Sequence, residues 1–177
     1  MKKNILLLII TFSVYSGFSQ VKNSISRSTI SFHIKNMGIG VNGTISGLQA
    51  DIKFVPTDLV TSTIEASVET NTINTDNDSR DEHLKNADFF DISHYPKITL
   101  KSVSFKNKNG KNYLGIFNLT IKGKTKQVEI PFSYDETGSI AKFESSFKLN
   151  RLDFGVGDSS LILSNEVTVN IVAEASK

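Results

Sequence analysis

The chain is predicted to be all-β, mainly antiparallel, with one short helical insertion. Three observations predict this. Apolar and polar residues alternate with period two through most of the 177 residues, the pattern of strands with one face inward and one in water. Turn signals, among them Asn109-Gly110, Gly123 and Gly138, separate the alternating runs. One stretch, residues 79–96 (SRDEHLKNADFFDISHYP), breaks the alternation with crowded charges and two adjacent phenylalanines.

The elements follow in order. Residues 1–20 read as a secretory signal peptide. Lys2 and Lys3 make a basic start, an apolar run follows at 5–10, and Ser16, Gly17 and Ser19 are small residues near Gln20. The stretch is too short and wrongly flanked for a membrane span. Residues 21–177 are expected to form one domain with no integral membrane segment, periplasmic or secreted after cleavage of the leader.

In that domain Ile30, Phe32 and Ile34 share one phase, as do Val41, Gly43 and Ile45. Leu48, Ala50, Ile52 and Phe54 run toward Pro56, and Ile64, Ala66 and Val68 form the next strand. Ile98 and Leu100 are out of phase with Val103 and Phe105, which a bulge near Ser102 repairs. Asn109-Gly110 marks a hairpin into the alternation Tyr113, Gly115, Phe117, Leu119, Ile121. Val128, Ile130, Phe132 and Tyr134 share a face after Gly123. Pro131 lies on the opposite face, and proline cannot donate to a ladder, so an edge or bulge is expected there. Ala141, Phe143, Ser145, Phe147 and Leu149 alternate again, and Val167, Val169, Ile171 and Ala173 close the chain. This makes eight or nine strands. Antiparallel strands with one apolar face either close into a barrel or stack as a sandwich, and the long runs at 113–122 and 140–150 favour a barrel.

In the interruption, Asn77 or Asp78 can cap a helix start, and Asp81 and Glu82 suit its first turn. Leu84 and Ala87 are expected to face the barrel, with Asn86 ending the helix. About two turns of helix are marginal alone, so packing must hold them.

Composition removes several function classes. There is no cysteine, hence no disulfide, thiol nucleophile or thiolate metal site, and the residue needed for a lipoprotein anchor is missing. The formal charge of +2 counts Lys2 and Lys3; without them 18 basic residues face 18 acidic ones. A neutral chain has no global pull on nucleic acid. Neither Gly-x-Ser-x-Gly nor His-Glu-x-x-His occurs, and His83 and His94 lack a recognised ligand frame. No catalytic residue, metal site or cofactor is expected.

Several separated stretches carry a family resemblance. The opening TISFHIKNMGIGVNGTISGL, then RDEHLKNADFFDISHYPKITLKS, LTIKGKTKQVEIPF and FKLNRLDFGV resemble, in order, motifs of the YceI-like proteins. The resemblance covers the whole of 21–177. It implies an extended eight-stranded lipocalin-like β-barrel around an apolar tunnel. It also implies an isoprenoid, quinone-like or fatty-acid-like ligand, and it leaves room for a homodimer. Where relatives commonly carry a histidine after the first strand, this chain has Asn36.

Candidate tunnel-lining residues are then Phe32, Ile34, Ile45, Phe54, Phe117, Leu119, Phe132, Phe143, Phe147 and Val169. From the residues alone, these equally describe an ordinary packed core. Gly43, Gly115 and Ser145 share the inward phases, and their small side chains are expected to leave room. Candidate mouth and gate residues are Arg80, His83, Leu84, Phe89 and Phe90. Arg80 either meets an anionic headgroup or forms a structural pair with Asp81. Arg151 and Asp153 read as a buried anchor for the loop at Gly155-Val156-Gly157. The leading expectation is a non-enzymatic lipid carrier. The alternatives are an enzyme acting on a bound lipid, and a filled barrel serving as a stress or adhesion module.

Overall fold

Period-two alternation becomes nine strands, every adjacent pair antiparallel, in a computed structural model that describes residues 24–176. The expected leader at 1–20 lies outside the described residues. The strands are β1 (Ser24–Asn36), β2 (Ile39–Ile45), β3 (Gln49–Lys53), β4 (Thr63–Glu69), β5 (Lys97–Asn109), β6 (Asn112–Ile121), β7 (Lys124–Thr137), β8 (Ile140–Asn150) and β9 (Leu163–Ser176). One helix, α1 (Asp78–Lys85), lies between β4 and β5.

The sheet order is β2-β1-β9-β8-β7-β6-β5-β4-β3, so its two ends are consecutive in the chain. This reconciles nine strands with eight expected staves. β2 pairs with β1 and β3 pairs with β4, while only residues 46–48 separate them. Together they form one descending run that changes partner halfway. The seam is fastened by the segment after β4. Thr44 and Asn74 exchange two backbone hydrogen bonds of 2.8 and 3.0 Å, and Thr72 Oγ1 bonds both the N–H and the carbonyl of Ser46.

Three local expectations can be placed. The register slips between Ser102 and Ser104, so Val103 is the extra, outward residue of the bulge, and Phe105 returns to the interior. The β5–β6 hairpin turns on Gly110 and Lys111, one position later than the Asn-Gly pair. Pro131 makes a local edge inside an interior strand. β7 pairs with β6 from Lys124 to Ser133, but with β8 only from Phe132 onward. The Pro131 carbonyl accepts Ser145 Oγ at 2.7 Å, so the missing N–H also faces β8 and the ladder stops there.

The strand ends define two poles. β1, β4, β6 and β8 end, and β5, β7 and β9 begin, at the pole that carries α1; this is the mouth. The opposite half is filled. Phe54 sits at the centre of an aromatic plug, with ring centroids 5.0–5.8 Å from Phe105, Tyr113, Phe132, Tyr134 and Phe143. Most of these meet edge-on or tilted, the arrangement aromatic quadrupoles favour. Tyr134 buries its ring here and donates its hydroxyl to Glu136 at 2.8 Å; burial first, then that carboxylate, pushes the phenol up from its ordinary value.

Candidate functional site

Above the plug the barrel is hollow. A cavity of about 690 Å³ opens at the mouth, within the ~300–1,000 Å³ of small-molecule sites. On β1 its wall runs from Ile30 to Asn36, seven residues of strand and so six steps, or about 20 Å at ~3.3 Å per step. Phe32, Ile34, Ile45, Phe147 and Val169 line the wall along β2, β1, β9 and β8, Leu119 lines it on β6, and Phe117, Phe132 and Phe143 form the floor shared with the plug. Phe54 is the exception among the expected lining residues. It lies in the plug and is not part of the cavity wall.

The small inward residues do something other than expected. A Cβ on Gly43 would meet the Phe32 ring at 2.2 Å, and one on Gly115 would meet the Phe117 ring at 2.3 Å. Each glycine is a seat for a phenylalanine, across the strand pair Phe32–Gly43 in one case and two residues along in the other. The expectation of spare volume at these glycines is therefore corrected: rings occupy it. Ser145 does line the cavity.

At the mouth Arg80, His83, Leu84, Phe89 and Phe90 all face the cavity. Asn77, rather than Asp78, caps α1, its Oδ1 accepting Arg80 N–H at 2.9 Å. Leu84 is half-buried, but Ala87 is exposed and does not face the barrel as expected. Arg80 and Asp81 are not paired with each other; both grip Thr75. Arg80 Nε donates to Thr75 Oγ1 and Arg80 Nη2 to the Thr75 carbonyl, each at 2.7 Å. Asp81 accepts the Thr75 N–H at 3.0 Å and also its hydroxyl. Thr75 is buried, so this clamp fixes α1 to the barrel.

A second fastening follows α1. His83 Nε2 donates to Asp88 Oδ2 at 2.8 Å, and this hydrogen bond, the leading cause, holds the Asp88 carboxyl below its ordinary value. The His83 ring meets Phe89 edge-on at 4.9 Å, and the Asp88 carbonyl accepts Gly157 N–H at 2.8 Å. Gly157 has φ 65°, and a Cβ there would come within 2.9 Å of both Phe89 and Arg151. Only glycine fits. His94 bonds Asp91 instead, at 2.8 Å, so the two histidines belong to separate pairs.

The third fastening is Arg151, in a 3-10 turn (Arg151–Phe154) after β8. It is 4% exposed and donates to the carbonyls of Ser164, Val156 and Asp158 at 2.9, 2.8 and 2.7 Å. Burial lowers its basicity. Arg151 anchors the loop as expected, but Asp153 is exposed and takes no part in the anchor. Phe154 and Val156 from this turn pack with Val128 and Leu149, covering the place where β7 and β8 part. Asn36 also reaches the cavity, and its Oδ1 is buried without a hydrogen-bond partner among the described residues.

The mouth of the cavity is thus polar but committed: Arg80 and Arg151 are spent on Thr75 and backbone carbonyls, while the walls below are apolar. Thr75 and Asp88 are the parts that sequence reasoning missed. No helix among the described residues is long and apolar enough to cross a membrane.

Comparison with known proteins agrees with this architecture. The crystal structure of BcnA from Burkholderia cenocepacia superposes with a TM-score of 0.80 at 24% identity, covering 84% of this chain and 96% of that one. A polyisoprenoid-binding domain from Saccharophagus degradans superposes with a TM-score of 0.69 at 13% identity, covering 88% and 98%. At these identities both show a shared fold. Protein YceI of Salmonella arizonae is 27% identical over 98% of this chain and 97% of its own. The model of the YceI-like domain matches residues 21–175, nearly the full chain, and so the chain belongs to the YceI-like domain family.

Proposed function

We propose that this protein binds and carries a long-chain amphiphile, an isoprenoid or another lipid, whose tail fills the upper cavity, and that it acts in the periplasm or outside the cell. The observation that carries this reading is the hollow half-barrel: an apolar shaft about 20 Å deep, open at one pole and plugged by aromatics at the other. A buried tail gains on the order of 0.8 kcal/mol per CH₂, so the walls supply affinity with little headgroup chemistry. The name of the Saccharophagus degradans domain, polyisoprenoid binding, supports the same class of ligand.

Carriage without transformation is supported by the mouth. Arg80, His83 and Arg151, the groups best suited to act on a ligand, are engaged by Thr75, Asp88 and backbone carbonyls. Asn36, in place of the histidine common in relatives, puts a neutral amide at the mouth where a titratable group would sit. The test is native mass spectrometry of protein purified without detergent, followed by organic extraction and titration with fluorescent prenyl and acyl probes. A co-purifying amphiphile, or saturable stoichiometric probe binding, is expected. Neither result, from folded protein, would remove the carrier reading.

A further inference from the structure

The exposed apolar side chains are unevenly distributed, and their position relative to the cavity is informative. Of eight large exposed apolar or aromatic residues among the described residues, four form a crest on the mouth. Met37 and Ile39 are each 71% exposed, Ile162 is 55% exposed, and Leu161 is fully exposed. Met37 and Ile39 flank the β1–β2 turn, and Leu161 and Ile162 end the loop before β9. The two segments are tied together: Met37 N–H donates to the Ile162 carbonyl at 2.7 Å, and Asn36 pairs with Leu163. Asn36, Ile162 and Leu163 also line the cavity, so the crest is continuous with its apolar wall.

Building on the carrier reading above, we propose that this crest seats the barrel mouth on a lipid bilayer surface, where the tail of the cargo passes between membrane and cavity. Water gains nothing from four apolar side chains held at a cavity rim, whereas the headgroup–acyl boundary accommodates such groups. A second copy of the chain is the other candidate occupant. Four side chains fall far short of the ~20–30 residues a side of a standard protein interface. Charge points the same way. Lys35 beside the crest, and Lys124 and Lys126 at the β6–β7 turn on the same pole, form no ion pair among the described residues, whereas Lys122 donates to the Gly155 carbonyl at 2.9 Å. Lys35, Lys124 and Lys126 suit anionic headgroups. Asp153, Asp158 and the carboxylates of the α1 segment, Asp78, Glu82, Asp88 and Asp91, share the mouth pole, so attachment rests mainly on the crest and only partly on charge.

The chain has no tryptophan, so a single introduced one reports cleanly. Full-chain Leu161→Trp, with its purified mass recorded, is mixed with phosphatidylethanolamine–phosphatidylglycerol vesicles. Its emission is expected to shift to the blue and to be quenched by brominated acyl chains. Val60→Trp, fully exposed away from the mouth, is the control and is expected to do neither. In vesicle flotation, Met37→Asn with Leu161→Asn should lower partitioning at least tenfold. Asparagine tolerates the left-handed φ of 52° at position 37. Neither residue lines the cavity, so binding of a prenyl probe in vesicle-free buffer should be unchanged. Equal responses from the two tryptophan variants overturn the proposal, as does a blue shift at Leu161→Trp that follows protein concentration without vesicles. Probe binding in buffer is read separately, so a failed docking surface and a failed carrier give different results.

Discussion

The two halves of this barrel are built from the same strands and the same alternation, yet one is solid and the other hollow. β6 crosses both. Tyr113 and Phe117 meet in the plugged half, while Leu119 and Ile121 belong to the cavity wall. Inward phase alone does not separate them. What does is convergence: Phe54, at the end of the β2–β3 run, reaches the axis where five rings from β5, β6, β7 and β8 meet it. No ring fills that position at the mouth pole. There the axis is bounded by aliphatic walls and roofed by α1 and the Phe89–Phe90 segment. Plug and cavity divide the work, the plug providing a packed core and the cavity the binding space.

The sharpest way to break this contrast is at the hub. Phe54→Ala is expected to cost about 4 kcal/mol of stability, because it opens a void among rings that cannot all collapse into it. Probe affinity in the upper cavity should hold as long as the protein remains folded. Urea denaturation and probe titration on the same sample check both; a large loss of affinity with little loss of stability would move Phe54 from plug to binding site.

Arg151 tests the roof in the same terms. Arg151→Met leaves the buried carbonyls of Val156, Asp158 and Ser164 without their donor, and about 3 kcal/mol of destabilisation is expected. Amide exchange should accelerate at Val156 and Gly157 before it does so in the plug.

A matched pair then separates filled from empty volume directly. Gly115→Phe drives a ring into space held by Phe117, so about 1–3 kcal/mol of overpacking is expected. Val169→Phe adds a ring on the cavity wall, opposite Phe32 and Phe147. It should change stability by less than about 1 kcal/mol and lower probe affinity tenfold or more. Equal destabilisation by the two, measured by thermal unfolding, would mean that the upper half is packed as well.

Much of this was legible from the sequence. The bulge at Ser102 showed as a phase slip, the end of the β7–β8 ladder showed as Pro131, and the insertion showed as lost alternation. What escaped notice depends on contacts between separated residues. Gly43 and Gly115 looked like gaps because a ring from a neighbouring position cannot be seen in a run of letters. Arg80 and Asp81 looked like partners for each other, whereas their common partner is Thr75, upstream of the segment. Phe54 looked like any other inward phenylalanine until the register of four other strands was known.

The smallest expected effect lies in the His83–Asp88 latch, where both side chains are exposed and such pairs are worth little. Its value is its sign. The hydrogen bond from His83 holds the Asp88 carboxyl below the ordinary 3.8, so Asp88 takes up its proton less readily in the folded protein than in the unfolded one. The latch therefore contributes fully above the ordinary carboxylate value, and its contribution is lost as pH falls through the lower folded value. Wild type should melt slightly above Asp88→Asn at neutral pH, and the two should converge in acid. Because Asp88 also accepts Gly157 N–H through its backbone, which the substitution keeps, the roof should loosen without detaching. Probe release from wild type should quicken in acid toward the rate of Asp88→Asn, whose own rate should change less over the same range. A melting gap that widens in acid would mean that the carboxyl is held above its ordinary value and that the latch works in the opposite sense.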